Sequence, residues 1–380
     1  MPEIRKPFVQ TRRDAWVEIN LANIEHNIKE LKKFTSPSVK LLAVIKADAY
    51  GHGSTMTAPT LYASGVNMFG VASVDEGIQL RQAGVSSSIL VLGTVPDWAV
   101  ASAVEHNIQI SVFTEDHINS CIEAYNKTKK KPEVHIKVDT GMNRIGLSSK
   151  DAPEFINKVL NTKEIELIGV FSHLACAECF DKSNIQKQKW QNVIKDLNNP
   201  NIIKHMVNTA GLISYKDMHY DMVRAGIGIY GLMPDLSSYT IEKPELKPAM
   251  SVKGRIVFLK EIEKDNGVSY GHTFITEKEV TKIATIPVGY ADGVPRGLSN
   301  KIYGLINGQK VRQIGNITMD QMMFDVSGIN IINTGDIITL IGQDGKESVH
   351  IDEWANILGT INYELTCRLK VRLPRVYTRD

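Results

Sequence analysis

Eight short apolar runs, separated by segments long enough to form helices, fill the chain between residues 41 and 230. They are Leu41–Lys46, Phe69–Ala72, Ile89–Gly93, Ile108–Phe113, Val134–Asp139, Leu167–His173, His205–Asn208 and Met222–Tyr230. Runs this apolar are typical of parallel strands that are buried on both faces. Eight strands that alternate with helices predict an α/β fold of the (β/α)8 TIM barrel type.

The pattern changes after Gly231, where three prolines punctuate a polar stretch that resembles a linker. From about residue 250 the segments are short and β-branched, with turn signals such as Asp265-Asn266-Gly267 between them. We therefore expect a barrel domain at 14–245, followed by a mainly β C-terminal domain at 246–380. A strand within residues 1–13 is expected to join the second domain.

The composition excludes several classes of protein. Hydrophobic residues make up 43% of the 380 positions and the formal net charge is only +2, so neither a nucleic-acid nor an acidic-lipid partner is expected. No apolar stretch approaches the length of a membrane span, and the first residues lack the apolar core of a signal peptide. The four scattered cysteines fit a reducing compartment. Together these features predict a cytoplasmic enzyme or binding protein.

One cluster could bind a metal or act in redox chemistry: His173, Cys176 and Cys179 form an H-x2-C-x2-C pattern. No second Cys or His pair follows to complete a tetrahedral set. Small residues lining a loop after a strand explain the cluster equally simply, and no metal site is expected.

The first apolar run ends in a lysine, Lys46. In (β/α)8 barrels the chemistry takes place at the carboxyl ends of the strands. An ammonium group among Val44, Ile45 and Ala47 is costly to desolvate, which lowers its pKa and favours a nucleophilic amine. The alternative is a lysine whose head group reaches solvent or pairs with Asp48.

Two later strands end in segments suited to an anion. The seventh run leads into Asn208-Thr209-Ala210-Gly211, and the eighth contains Arg224-Ala225-Gly226-Ile227-Gly228. Barrels commonly bind phosphate at the loops after strands 7 and 8. Each glycine alone is also compatible with a tight turn. A lysine for an aldehyde together with a phosphate cradle indicates pyridoxal 5'-phosphate.

The segment Val44–Gly53 resembles the cofactor-lysine signature of the alanine racemase family. The resemblance extends over nearly the whole chain in the family's order. Its further motifs are Lys137–Gly146, Val223–Ile227, Val268–Gly271, Ile286–Gly293, Met319-Asp320 and Ile361–Glu364. The family's fold, a (β/α)8 barrel followed by a β domain, agrees with the domains predicted above.

The resemblance implies a role for each matching residue. The two catalytic bases would be Lys46, which also holds the cofactor covalently, and Tyr270 of the partner subunit. The cofactor would be bound by Lys46, Tyr50, His173, Asn208, Thr209, Arg224, Gly226, Ile227 and Tyr363. Arg144 and Met319 would help to hold the substrate carboxylate, and Tyr290 would line the entrance. Lys137 matches a position that is often carbamylated in the family. Arg224 would face the pyridine nitrogen, and His173 would link it to the tyrosine.

Racemisation removes a proton from one face of Cα and delivers one to the other face, so two bases are expected. A phenol ordinarily titrates near pH 10, and a tyrosine base therefore requires nearby positive charge, which the His173–Arg224 pair would supply. Arginine does not readily release a proton. Facing the pyridine nitrogen, it would favour simple proton exchange over transamination or decarboxylation.

Three positions depart from the family pattern. Asp48 stands where asparagine is common, and Thr318 stands where cysteine is frequent. Asn143 replaces a glycine, and asparagine is the least costly substitute if that position has a positive φ. These changes bear on substrate specificity more than on the type of reaction.

The predicted function is that of a racemase dependent on pyridoxal phosphate, acting on L- and D-alanine and supplying D-alanine for peptidoglycan. It would act as a homodimer with shared active sites. Three alternatives stay open: a serine or broad-specificity racemase, a related decarboxylase, and a non-catalytic cofactor-binding protein. A decarboxylase would need an acidic group at the position of Arg224, and a carrier would have no use for Tyr270.

Overall fold

The computed structural model describes residues 13–238, 240–369 and 372–379. Its internal contacts divide the chain into two compact units. The barrel unit spans residues 23–247, and the β unit combines the described residues up to 22 with those from 248 onward.

Each of the eight apolar runs contributes a strand to the barrel unit. In chain order the barrel strands are Lys40–Val44, Met68–Val71, Ser88–Thr94, Gln109–Val112, Glu133–Asp139, Glu166–Phe171, Ile203–His205 and Met222–Ala225. Neighbouring strands pair in parallel, and the eighth pairs with the first, which closes the barrel. The predicted (β/α)8 barrel is confirmed.

Helices alternate with these strands. They are Leu21–Lys32, Ser54–Ala63, Val74–Gln82, Asp97–Glu105, Glu115–Thr128, Ala152–Leu160, Phe180–Ile194 and Thr209–Ser214. Short 3-10 turns cover Lys216–Met218 and Ile227–Tyr230, and the two-residue strand Leu147–Ser148 pairs with the fifth barrel strand. Side-chain caps fix where some helices begin: Ser73 accepts from the amide of Glu76, and Thr114 accepts from that of His117.

The barrel interior is not wholly apolar. Most buried strand residues are aliphatic, as expected for strands covered by helices. The strands also bury polar side chains, namely Gln109, Ser111, His135, Lys137, His205 and Arg224. Because a buried polar group is costly unless it is hydrogen-bonded, these side chains need partners within the barrel.

The β unit is built mainly from strands, as predicted. They are Ala15–Asn20, Met250–Arg255, Phe258–Glu263, Val280–Ile286, Tyr303–Ile306, Gln309–Ile314, Met322–Asp325, Ile337–Asp344, Glu347–Val349 and Arg375–Thr378, plus the hairpin Gly267–Val268 and Phe274–Ile275. Two helices, Ile351–Leu358 and Asn362–Arg368, and the 3-10 turns Tyr270–His272, Tyr290–Asp292 and Arg296–Leu298 complete it.

The structure differs from the predicted boundary at residue 14. The strand Ala15–Asn20 pairs antiparallel with Met250–Arg255 and parallel with Arg375–Thr378, so it lies in the β unit. Its side chains alternate between buried and half-buried, as expected for a strand with only one face packed against a core. The strand predicted within residues 1–13 falls, apart from Arg13, outside the described residues.

Candidate active site

Lys46 follows the first barrel strand and begins a turn of unusual hand. Ala47, Asp48, Ala49 and Tyr50 have φ values of 52°, 52°, 55° and 53°, all in the left-handed region. For residues other than glycine this conformation costs about 1–2 kcal/mol each. Such strain persists only where the surroundings determine the conformation, and it is concentrated at functional sites.

Two carboxylates hold this left-handed turn. Glu76 accepts from the Ala47 amide through Oε1 and from the Ala72 amide through Oε2, at 2.7 Å each. Asp48 accepts from the amide of Ser54 at 2.7 Å. This position requires only an acceptor, so aspartate serves where the family commonly has asparagine. Sequence reasoning missed Glu76, because its role depends on contacts between separate barrel loops.

Tyr230, in the 3-10 turn that follows the eighth strand, supports the end of the first strand. Its hydroxyl donates to the carbonyl of Val44 at 3.0 Å, and its ring lies 5.2 Å from that of Tyr50 and is stacked on His52 at 4.3 Å. Tyr230 is fully buried. It therefore joins the first and eighth strands where Lys46 and Tyr50 leave the barrel, a role that sequence reasoning missed.

Arg224, on the eighth strand, is a buried cation surrounded by acceptors. Nη1 donates to Nδ1 of His205 at 2.8 Å. Nη2 donates to the carbonyls of Ser172 and Met206 at 2.7 and 2.8 Å and to Nδ1 of His173 at 3.1 Å. Burial lowers the pKa of Arg224 to about 9. Since the guanidinium only donates, Nδ1 of His173 is an acceptor and the proton of this imidazole lies on Nε2.

Phe171, at the end of the sixth strand, lies against two cations. Its ring is stacked on that of His205 at 4.9 Å. Nζ of Lys137 is 4.9 Å from the ring centre, and Cζ of Arg224 is 5.5 Å from it. Burial, and then the charge of Arg224, lower the pKa of Lys137 to about 7. Lys137 is therefore largely a neutral amine above that pH.

The electrostatics show which side chains the barrel brings together. The pKa of His173 is well below its usual value, first because it is buried and then because cations surround it. In order of effect these cations are Arg224, Lys137, Arg144 and Lys46. Below the pKa of Lys137 the site holds four cationic side chains, and above it three remain, so the site favours anionic ligands in both cases.

Arg144 is exposed on the loop after the fifth strand. Asp139 begins this loop by accepting from the amides of Gly141 and Asn143, at 2.8 and 3.1 Å. Asn143 has a φ of 54°. This confirms that asparagine replaces the usual glycine at a position with positive φ.

Gln186 ties this loop to the next one. Its Nε2 donates to Thr140 and to the carbonyl of His173, at 3.0 Å each, and its Oε1 accepts from the amide of Ala175. Gln186 lies on the helix Phe180–Ile194. It therefore fixes the backbone that carries His173, and the sequence alone did not identify it.

The loops after strands seven and eight meet as a small cradle. Thr209 Oγ1 accepts from the amide of Gly226 at 2.8 Å, and Asn208 caps the helix Thr209–Ser214 by accepting from the Gly211 amide. A Cβ atom on Gly226 would lie 2.8 Å from the hydroxyl oxygen of Tyr50. A larger residue here would have to displace the Tyr50 hydroxyl, so the glycine lets Tyr50 and Thr209 lie close to the backbone, and the buried Ile227 follows it.

The other predicted site residues lie in the β unit. Tyr270 is 75% exposed, Met319 53% and Tyr290 40%, whereas Tyr363 is half-buried. The backbone carbonyl of Tyr270 accepts from Asn316 at 2.7 Å. The turn is thus held in place while the phenol is presented outward.

The His173, Cys176 and Cys179 cluster shows no metal geometry. Among the described residues, no group of three or more His, Cys, Asp or Glu side chains could hold a metal ion. Cys179 precedes the helix Phe180–Ile194, and its amide donates to the carbonyl of Cys176 in a turn. In the part of the chain that the structure describes, no helix is long and apolar enough to cross a membrane.

Comparison with known proteins gives one consistent family. Residues 19–234 match the model of the alanine racemase N-terminal domain, and residues 249–377 match that of the C-terminal domain. Alanine racemase of Nostoc sp. is 41% identical over 376 residues, covering 95% of each chain. The solved alanine racemase of Clostridium difficile superposes with a TM-score of 0.91 at 35% identity, covering 97% of both chains. The solved histidine racemase of Leuconostoc mesenteroides superposes with a TM-score of 0.88 at 30% identity, covering 97% of this chain and 98% of the histidine racemase.

Proposed function

The chain belongs to the alanine racemase family, and from that premise we propose that it interconverts L- and D-alanine with Lys46 and Tyr270 as its two bases. The observation that supports the proposal is the hydrogen bond between Arg224 and Nδ1 of His173, an imidazole whose pKa is lowered by burial and by Arg224, and further by the charges of Lys137, Arg144 and Lys46. D-alanine formed in this way in the cytoplasm would supply peptidoglycan precursors.

The cradle fits pyridoxal 5'-phosphate. Tyr50, Thr209 and the backbone of Gly226 approach one another with no room for a further side chain, which suits the close contacts of a phosphate. Ile227 would contribute its amide, and Asn208 would lie beside the phosphate. When bound, the cofactor supplies an electron sink that acidifies the α-proton of an amino acid. Lys46 would hold it covalently, and Tyr363 would complete the phosphate site.

Arg224 is the group that would face the pyridine nitrogen of the cofactor. Its guanidinium is held by four acceptors, and it offers N–H groups without readily releasing a proton. A carboxylic acid at this position would instead deliver a proton to the ring. Arg224 therefore favours proton exchange at Cα and disfavours the decarboxylase alternative.

The second base depends on His173. Because Nδ1 of His173 accepts from Arg224, its Nε2–H is available to donate to a phenolate oxygen. We assign that phenolate to Tyr270 of the partner subunit, whose side chain is 75% exposed within one chain. The active unit would then be a homodimer with shared sites. Lys46 and the phenolate would exchange protons at opposite faces of Cα.

The substrate carboxylate would be held by Arg144 and by Met319, with Tyr290 at the entrance. The exposed guanidinium of Arg144 can form paired hydrogen bonds with a carboxylate. Thr318, which replaces the frequent cysteine, would lie near the substrate side chain and bears on the tolerance for larger amino acids. The kinship to a histidine racemase makes that tolerance a necessary part of the test.

Racemisation of alanine, serine and histidine, measured in parallel by chiral chromatography with and without added pyridoxal phosphate, tests the proposal. We expect both enantiomers of alanine to interconvert, with a kcat/KM at least about tenfold above that for serine or histidine, since one added group in a fitted pocket is worth about 1–3 kcal/mol. A higher kcat/KM for serine or histidine would replace the proposed substrate. No exchange of any amino acid would refute the racemase.

Carbamylation of Lys137 is a separate prediction with a defined pH dependence. Because its pKa of about 7 lies below the ordinary 10.5, the folded chain binds fewer protons than the unfolded chain between these values. The contribution of Lys137 to stability therefore rises with pH across that window. The neutral amine would form an N–C bond to CO2 and release one proton, and the charges of Arg144 and Arg224 would stabilise the resulting anion.

With ¹³C-bicarbonate, we expect a carbamate resonance in the ¹³C NMR spectrum that grows as the pH rises through about 7. The signal should be absent from Lys137→Gln, which serves as the control. A wild-type spectrum without that resonance at pH 8 would contradict the prediction.

A further inference from the structure

A line of four hydrogen bonds runs through the barrel interior from Arg224 to the amino end of the fifth strand. Arg224 Nη1 lies 2.8 Å from His205 Nδ1, and His205 Nε2 lies 3.1 Å from His135 Nδ1. His135 Nε2 lies 3.2 Å from Gln109 Oε1, and Gln109 Nε2 lies 2.7 Å from a carboxylate oxygen of Glu133. His135 and His205 are fully buried, Gln109 is 5% exposed, and Glu133 reaches solvent.

The two ends fix the direction of every bond in this line. A guanidinium can only donate and an ionised carboxylate can only accept. His205 must therefore accept at Nδ1 and carry its proton on Nε2, and His135 must do the same. Gln109 then accepts through its oxygen and donates through its nitrogen. The line has one consistent arrangement, with both imidazoles neutral and in the same tautomer.

We infer that His135, Gln109 and Glu133 act through His205 as positioning residues for Arg224, forming a one-directional relay from a buried cation to a surface carboxylate. The inference rests on the proposed function, in which Arg224 faces the pyridine nitrogen. The relay holds His205 so that its Nδ1 accepts from Arg224 Nη1. The carboxylate of Glu133 at the far end strengthens this acceptor by polarising the hydrogen bonds between them.

The benefit of the relay is an acceptor that brings no charge of its own into the site. No ion pair among the described residues includes Arg224, although it is only 3% exposed. A carboxylate in direct contact would stabilise the guanidinium but would also add negative charge beside the cofactor ring. Two neutral imidazoles and an amide keep the negative charge at the opposite face of the barrel.

Burial keeps the imidazoles neutral. Burial first, and then the charge of Arg224, lower the pKa of His135 to about 3 and that of His205 well below its usual value. Neither imidazole therefore gains a proton over the range in which a racemase would work. Protonation of either one would replace an acceptor by a donor and break the line.

The barrel is shaped to admit His135. A Cβ atom on Gly169, in the neighbouring sixth strand, would lie 2.5 Å from His135 Nδ1. The pairing of the fifth and sixth strands shifts register at this point, so that Val134 pairs with Leu167 and His135 with Gly169. The irregularity places a residue without a side chain against the imidazole.

Neutron diffraction from deuterium-exchanged crystals of the protein as purified tests the relay directly. We expect deuterium on Nε2 and none on Nδ1 in both His135 and His205. Deuterium on Nδ1 of either ring would overturn the proposed direction. This result does not depend on the reaction that the protein catalyses.

Two variants test the positioning role. Glu133→Gln removes the terminal charge at an exposed residue, and Gln109→Met removes the buried amide at similar volume. Glu166→Gln is the matched control, because Glu166 is exposed, begins the sixth strand and pairs directly with Glu133. Burial lowers the pKa of Arg81, and the charge of Glu133 partly opposes that shift. The bonds of Arg81 to backbone carbonyls hold its side chain in place independently of Glu133.

The readout is the absorption spectrum of the bound cofactor together with the separate values of kcat and KM. The spectrum reports on the group that faces the pyridine nitrogen, which the proposed function assigns to Arg224. We expect the absorption maximum to shift in Glu133→Gln and Gln109→Met, because a guanidinium whose acceptor His205 is displaced no longer keeps its orientation.

Gln109→Met should also lower kcat about tenfold with little change in KM, as expected for a displaced group. Equal spectra and equal kcat values for Glu133→Gln and Glu166→Gln would overturn the positioning role. A wild-type protein that racemises no amino acid would contradict the proposed function. The histidine tautomers seen by neutron diffraction would then be the remaining test of whether the relay exists.

Discussion

A mixture of Lys46→Ala and Tyr270→Phe chains is expected to recover racemisation that neither variant shows by itself. Each variant lacks one of the two proposed bases, and loss of a general base lowers kcat by about 10²–10⁴-fold. If Tyr270 acts on the site of the partner subunit, a mixed dimer contains one site with both bases and one site with neither. Random re-association makes half of the dimers mixed, so activity should return to about a quarter of the wild-type value.

The expected recovery separates two arrangements of the site. Tyr270 acting within its own chain would leave every site of a mixed dimer lacking one base, and no activity would return. Native mass spectrometry must show that mixed dimers are present, and each variant re-associated alone is the control. Mixed dimers without recovered activity would contradict a tyrosine supplied by the partner.

Tyr270→Phe alone has a further expected signature. Lys46 should still exchange the Cα proton on its own face, so one enantiomer of alanine should take up deuterium from D2O without inversion. Equal exchange of both enantiomers, measured by NMR, would show that the phenol is not a base. The distinction depends on the face of Cα and not on the overall rate.

The sequence was sufficient to predict the barrel, because strands that are buried on both faces appear as continuous apolar runs. A continuous apolar run such as Val134–Asp139 has few alternatives to a central parallel strand. The sequence also located Lys46 correctly, since a run that ends in a lone lysine marks a strand end. The positive φ of Asn143 agrees with the expectation drawn from the family's usual glycine, because asparagine is among the few other residues that tolerate this conformation.

The left-handed turn after Lys46 was beyond sequence reasoning. Ala47, Ala49 and Tyr50 have no intrinsic preference for positive φ, and the turn exists because Glu76 fixes its first amide from another loop. The only local signals are the nearby Gly51 and Gly53, which mark a turn without giving its hand. Strain that distant contacts hold in place has no local signature.

The relay was missed for a related reason. Gln109, His135 and His205 each lie in an apolar run, where a single polar residue resembles an isolated exception. Only the closed barrel shows that the fourth, fifth, seventh and eighth strands direct them along one line. The second helix of the β unit, Asn362–Arg368, was also not predicted, because seven residues show too little periodicity.

Replacing Arg224 by leucine is expected to cost both stability and activity. Arg224 donates to four buried acceptors, and it is also the group proposed to face the cofactor ring. Four acceptors would lose their donor, namely Nδ1 of His205 and of His173 and the carbonyls of Ser172 and Met206. An unsatisfied buried acceptor costs about 1–3 kcal/mol. Removal of the buried charge, whose cost appears in the lowered pKa of Arg224, offsets part of this loss. We expect a net loss of a few kcal/mol in the free energy of unfolding.

Arg144→Leu is the matched comparison, because it removes another cation of the same cluster from an exposed position. Its free energy of unfolding should stay within about 0.5 kcal/mol of the wild type, as surface substitutions usually do. Its defect should appear as a raised KM for alanine, whereas Arg224→Leu should lower kcat. Urea unfolding with steady-state kinetics measures both quantities. Equal stability losses in the two variants would show that burial and the four acceptors do not distinguish Arg224, and the assignment of Arg224 as the organising cation of the site would fail.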